Sequence, residues 1–144
     1  MSSWRYTVRA ASWAVDAVAL QSVRRAVFVV EQRIPEELEW DAADAQCVHA
    51  LAFDGQDAPI GCGRLLLDGH IGRMAVLAPW RGRGVGDALL TRLMAIAHAR
   101  GHAHVMLNAQ TQAQGFYARR GFVARGPVFD EAGIAHRLMT RALP

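Results

Sequence analysis

The chain has only two cysteines, Cys47 and Cys62, and their spacing matches no metal motif. No metal is therefore expected, and the default compartment is the cytoplasm, with both thiols reduced. No segment approaches the ~18 apolar residues of a membrane span, and the N-terminus lacks a signal-peptide pattern, so no membrane partner is expected. Nucleic acid is not expected either. The formal net charge is only +3, the arginines come in short pairs instead of a long basic run, and no nucleic-acid-binding motif is present. The Gly-Lys-Ser/Thr of a P-loop is missing. There is no repeat, linker or low-complexity segment.

What is present has the balance of a folded protein. With 144 residues, 52% hydrophobic and 20% charged, the chain reads as a single domain over residues 1–144 with room for a sizeable core. Trp4 to Arg9 alternates as a strand does. Ser12 can cap a helix, in which Leu20, Val23, Val27 and Val30 keep helical spacing up to a stop before Pro35. A carboxylate-rich stretch follows, from Glu31 to Asp44. Val48–Phe53, Ile60–Leu67 and His70–Leu77 then form an antiparallel meander. A helix on the Val85, Leu89, Leu93, Ile96 face leads to a short strand at His104–Asn108. Thr111 to Gln114 reads as a capping box for a helix stopped by Gly121, and strands at Phe122–Arg125 and Ile134–Thr140 close the chain. The order β-α-(α)-β-β-β-α-β-α-β-β is an α/β (α+β) layered domain with a mixed, mostly antiparallel central sheet flanked by helices.

The densest chemical signal is Arg81-Gly82-Arg83-Gly84-Val85-Gly86, between a strand end and a helix start. Glycine permits close backbone approach and positive φ. First-turn N–H groups lack intrahelical partners, and with the helix dipole and two arginines they suit an anion such as a phosphate. The third glycine comes two residues after the second, so this is not the Gly-x-Gly-x-x-Gly of a Rossmann fold. Taken alone, the stretch is equally a tight turn before a surface helix.

Two motifs together settle between these. Arg-x-x-Gly-x-Gly at Arg81–Gly86, followed about 30 residues later by Gln114-Gly115-Phe116-Tyr117-Ala118-Arg119-Arg120-Gly121-Phe122, resembles a GNAT N-acetyltransferase over nearly the whole chain. Val27-Phe28-Val29-Val30-Glu31-Gln32 and Gly133-Ile134-Ala135-His136 narrow the resemblance to the ElaA-like branch. It implies acetyl-CoA as co-substrate, held in a V between the strands at 70–77 and 104–108. Backbone groups of Met74, Ala75 and Val76 would bond the pantetheine arm. The N–H groups of Gly82, Arg83, Gly84, Val85 and Gly86 would take the pyrophosphate, with charge-assisted help from Arg81 and Arg83. Asn108 would contact the pantetheine. Asp87, beside the loop, would repel phosphate if it pointed inward and so reads as outward and structural.

The implied reaction is acyl transfer from a thioester to a primary amine. Less than about one in a thousand lysine-like amines is neutral at pH 7, so a proton acceptor is needed. By the resemblance Tyr117 assists the thiolate. Full transfer from an ordinary tyrosine (~10) to a thiol (~8.5) is uphill by about 2 kcal/mol, which favours a hydrogen bond over proton transfer, with the helix dipole narrowing the gap. His49 and Glu31 rank first as base, ahead of His136, and all three are candidates to touch the acceptor. For each, a solvated or core-satisfied residue is the commoner role. The acidic stretch 31–44 is either a solvated surface or a wall selecting a cationic amine such as a polyamine. Trp4, Trp13, Trp40 and Trp80 leave core and homodimer interface as alternatives. A non-catalytic acyl-CoA-binding module would keep Arg81–Gly86 but have no need of Tyr117. A phosphate-binding interaction domain would lack a reason for Phe116-Tyr117.

Overall fold

The computed structural model describes residues 4–144. Strand β1 (Tyr6–Ala11) leads into α1 (Trp13–Arg24), capped by the Ser12 hydroxyl at the Val15 N–H, as its sequence predicts. The expected continuous helix changes pitch at Arg25 and runs to Glu31 as a π-helical segment. This wider turn brings both Val27 and Phe28 into the core. The short helix α2 (Glu36–Glu39) and a 3-10 turn (Ala42–Gln46) precede β2 (Val48–Asp54), β3 (Pro59–Leu65) and β4 (Ile71–Val76). Helix α3 (Val85–Ala99), β5 (His104–Gln110), α4 (Gln114–Ala118), β6 (Val123–Glu131) and β7 (Ile134–Ala142) complete the fold.

The central sheet comes in two parts. One is the antiparallel meander β1-β2-β3-β4, the other the antiparallel set β5-β7-β6. They join where His70 bridges Met106 in parallel, and the Met106 N–H donates to the Gly69 carbonyl. From that seam β4 and β5 diverge, so the sheet splits into a V. Both faces of the meander are covered. Ala50 and Ala52 pack in the core under α3 with Leu89, Leu90 and Leu93, while Leu51 between them joins Leu20, Val23 and Val27 of the first helix on the other side.

Two irregularities shape the V. Arg73 and Met74 of β4 stand opposite the single residue Gly63, a bulge with Arg73 at φ 51°. A Cβ at Gly63 would meet the Met74 and Leu93 side-chain ends, 2.9 Å away at Leu93, so a larger residue there would have to displace the packing between the bulge and α3. β5 runs to Gln110, two residues beyond its expected end. Thr111 is thereby placed in a single 3-10 turn, and the expected capping box does not form: no side chain caps α4, which is only five residues long. No helix among the described residues is long and apolar enough to cross a membrane.

Candidate active site

The V encloses a cleft of about 840 Å³, within the range of small-molecule sites. Met74, Ala75 and Val76 line one wall and Leu107, Asn108 and Ala109 the other. Glu31 and Gln32, at the end of the π-helical segment, line it as well, and Gln32 exchanges reciprocal side-chain hydrogen bonds of 3.2 and 2.8 Å with Gln110 on β5.

The glycine loop forms the head of α3. Gly82 and Gly84 take φ of 75° and 87°, the left-handed region that favours glycine. Gly84 is the residue before α3, and no side chain caps the helix. Its first-turn N–H groups therefore remain available to an anion. Gly86 has another reason: a Cβ there would meet the Phe116 ring at 3.3 Å, while one on Gly84 would meet the Tyr6 hydroxyl at 3.3 Å. Glycine at 84 is thus required by the backbone turn and glycine at 86 by the close packing of α3 on Phe116, and the first-turn N–H groups suit an anion held by backbone.

The arginines of this loop face elsewhere than expected. Arg81 donates two 2.7 Å hydrogen bonds to Glu31, and its Nε donates at 2.9 Å to the Val76 carbonyl. Arg83 donates from Nε to the Pro79 carbonyl at 3.2 Å and lies 3.3 Å over the Trp4 ring. A carboxylate, two carbonyls and an aromatic face occupy them, which leaves the backbone N–H groups as the donors of the loop. Asp87 turns to Arg120, accepting from Nε at 2.6 Å, and Arg120 also donates to the Phe116 carbonyl and covers its ring. This contact ties the start of α3 to α4.

Tyr117 lies on α4, 8% exposed, between Phe116 and Phe122 edges, and lines the cleft. Burial pushes its pKa up to about 12, against a smaller downward pull from Arg120. The expected lowering by the helix dipole is overturned. A five-residue helix has little dipole, and desolvation of a phenolate outweighs it.

The three base candidates separate. His49 does not line the cleft. It is 1% exposed, its Nε2 lies 2.9 Å from the Asp44 carbonyl, and its ring packs on Trp13. Burial lowers its pKa. Glu31 lines the cleft, but the hydrogen bonds from Arg81 hold its carboxyl below the usual range, which weakens it as a proton acceptor. His136 lines the cleft on β7, with Nδ1 2.7 Å from the Ile134 carbonyl and its ring stacked on Phe129.

The acidic stretch divides: Glu31, Glu36, Glu37 and Asp41 are exposed, as on a solvated surface, while two of its carboxylates are buried among arginines. Glu39 and Asp44 are 2% and 1% exposed. Arg24 bonds both, at 2.8 Å to Glu39 and 2.7 Å to Asp44. Arg64 bonds Asp44 and Asp41 at 2.8 Å each, and Arg73 lies 3.0 Å from Glu39 and 3.5 Å from Asp41. Three arginines balance three carboxylates. At Glu39 burial wins and the pKa rises. At Asp44 burial also pushes upward, but Arg24 and Arg64 outweigh it and the net direction is down. Hydrogen bonds from Arg64 hold Asp41 at about 2. Glu36, further out, pairs with Arg25.

Glu131, which no sequence signal singled out, closes the cleft at the β6–β7 hairpin. Its Oε1 accepts from Asn108 Nδ2 at 3.4 Å, and its Oε2 lies 3.6 Å from His136 Nε2. The hairpin turn at Ala132-Gly133, both at positive φ, is the only local signal pairing the two, through the register of Glu131 with Ile134.

Comparisons with known proteins identify the family and the fold. The family model described as an acetyltransferase (GNAT) domain matches residues 14–143. YjcF of Bacillus subtilis, an uncharacterized N-acetyltransferase, is 37% identical over 123 residues, covering 83% of this chain and 87% of that protein. ElaA of Escherichia coli K12 is 34% identical over 131 residues, 85% of each chain. Its crystal structure superposes with a TM-score of 0.83 at 30% identity over 95% of this chain and 99% of that one. An acyl-CoA N-acyltransferase of Pseudomonas aeruginosa gives 0.84 at 32% identity over 96% and 100%. The chain belongs to the GNAT acetyltransferase family, on its ElaA-like side.

Proposed function

We propose that this protein transfers an acetyl group from acetyl-CoA to a primary amine by direct attack in the cleft between β4 and β5. The observation that carries this reading is the placement of Tyr117, a buried phenol, in the wall of the cleft between β4 and β5. The N–H groups of residues 82–86 hold the pyrophosphate. Backbone groups of Met74, Ala75 and Val76, with Asn108 from the other wall, hold the pantetheine arm, the Val76 carbonyl already being taken by Arg81. Desolvated amides of that arm need such partners.

Tyr117 acts as a hydrogen-bond donor to the developing thiolate. With its pKa at about 12, full proton transfer to a thiol of ordinary pKa is uphill by about 5 kcal/mol, so the phenol keeps its proton. A donor aimed at developing charge in a water-poor site lowers the barrier without ionising.

The test is thiol release from acetyl-CoA across a panel of primary amines, beside thermal stabilisation by acetyl-CoA and by ATP. Release with at least one amine and stabilisation by acetyl-CoA alone support the reading. Stabilisation without release from any amine leaves an acyl-CoA-binding module and overturns it.

A further inference from the structure

On the acyl-transfer reading, the acceptor enters as an ammonium and must leave a proton in the cleft before it attacks. The charges on the cleft wall show where. Glu31 is neutralised by Arg81, and Glu39 and Asp41 by Arg64 and Arg73. The fourth carboxylate, Glu131, faces a histidine instead of an arginine. One uncompensated carboxylate suits one ammonium.

The histidine beside it is set up as an acceptor. A carbonyl can only accept, so the 2.7 Å contact with Ile134 assigns the hydrogen of the neutral ring to Nδ1. The Nε2 lone pair then faces Glu131 at 3.6 Å. Around the ring, β6 contributes Glu131 and the Phe129 face, β5 the uncharged Gln110 opposite in register, and α4 contributes Tyr117 to the same cleft. Glu131 is the charged group in ion-pair contact with it.

We propose that Glu131 and His136 form the acceptor end of the site, Glu131 docking the ammonium of a small monoamine and His136 taking its proton. An N–H bond of the ammonium breaks and the proton passes to Nε2. The freed lone pair forms the C–N bond to the thioester carbonyl, and the C–S bond breaks. A second proton lost by that nitrogen ends on sulfur, and the first leaves His136 for solvent. One ammonium and one thioester thus give one amide, one thiol and one proton. With Glu31, Glu39 and Asp41 of the cleft wall paired with arginines, nothing in this arrangement holds a second or third ammonium, so polyamines gain no advantage over monoamines.

Two variants test this, each checked for coenzyme A affinity by calorimetry, which should stay within about threefold of wild type because neither residue contacts the loop and a glutamine at 131 keeps an oxygen to accept from Asn108. His136→Gln should lower kcat/KM by about 100-fold or more at pH 7. The loss should shrink as pH rises, because the rate then follows the fraction of free amine, about tenfold per pH unit below ~10. Glu131→Gln, at an exposed position, should raise KM for the amine about tenfold with kcat little changed. A wild-type rate and pH profile in His136→Gln, an unchanged amine KM in Glu131→Gln, or a wild-type preference for polyamines over monoamines would overturn the proposal. Absence of thiol release by the wild-type protein with every amine would instead overturn acyl transfer itself.

Discussion

Replacing Tyr117 by phenylalanine removes one oxygen from a residue that is 8% exposed and otherwise held by Phe116 and Phe122. The ring packing survives, so the variant isolates the hydroxyl. A hydrogen bond to a charged partner contributes about 1.5–3 kcal/mol, which at the transition state corresponds to roughly a 10- to 150-fold fall in kcat. Acetyl-CoA affinity should hold, because the thioester sulfur carries no full charge before reaction. The same side chain gives an independent check on stability. With the folded pKa at about 12 and the unfolded one near ~10, the phenol is neutral in both states below about pH 10, and its contribution is complete there. Above that pH the unfolded chain ionises first, and stability falls by about 3 kcal/mol as pH rises towards 12. Urea titrations of wild type and Tyr117→Phe between pH 9 and 11.5 should therefore diverge, the wild type losing more. Coincident curves would show that Tyr117 is not desolvated as its position requires. An unchanged kcat would remove it from the chemistry.

Arg24→Met leaves Glu39 and Asp44 buried without their shared partner and should cost about 3–5 kcal/mol in chemical denaturation; a loss below about 1 kcal/mol would mean that the network relaxes around the gap. Asp41, at about 2 in the folded state, contributes stability that is present above its unfolded pKa near ~4 and is lost as pH falls through 2. Because its side chain is 39% exposed, screening limits this to about 1 kcal/mol, read as the difference between wild type and Asp41→Asn from pH 5 to 2. Gly84→Ala forces a side chain into φ 87° and towards the Tyr6 hydroxyl, so it should cost about 1–2 kcal/mol of stability and weaken coenzyme A binding at least tenfold, measured by calorimetry. Ala132→Asn relieves a non-glycine residue at φ 53° in the hairpin turn and should raise the melting temperature by a few degrees.

Much of the fold is written in local pattern. Alternation places β2, and the Leu89/Leu93 spacing places α3. The glycine loop and Phe116-Tyr117-Gly121 are also contiguous motifs, legible because close approach and positive φ constrain residue type at single positions. What escaped the sequence depends on partners far along the chain. Nothing near Glu39 or Asp44 announces that Arg24, 15 and 20 residues earlier, will bury them. His49 and His136 both lie on strands, and alternation assigns them to a face without saying whether that face meets a helix or the cleft. Their reversed ranking follows from the V, which opens between β4 and β5 with His136 of β7 in its lining, and leaves β2 covered by α1. Tyr117 lies on a helix, as its sequence predicts, but α4 is shorter than the run from Thr111 to Arg120 predicts. The missing turns are what make burial, not the dipole, decide its pKa.

Arg81 shows how a residue can belong to a motif without serving its ligand. It leaves the chain just before the glycine loop, and its guanidinium reaches back to the Val76 carbonyl and across to Glu31, 50 residues away. An ion pair exposed by 42% and 44% on its two sides contributes little stability. Its consequences lie in the site. The pair pins the end of the π-helical segment beside β4, which lines the cleft. It also cancels the charge on Glu31, which would otherwise compete with Glu131 for the ammonium. On the proposed acceptor site, the direction of the amine depends on an arginine assigned by its motif to the other substrate, and releasing Glu31 by Arg81→Met should loosen amine selectivity more than it weakens coenzyme A binding. Competition between monoamine and polyamine substrates reads the first quantity and calorimetry the second. A larger effect on coenzyme A than on selectivity would return Arg81 to the phosphate.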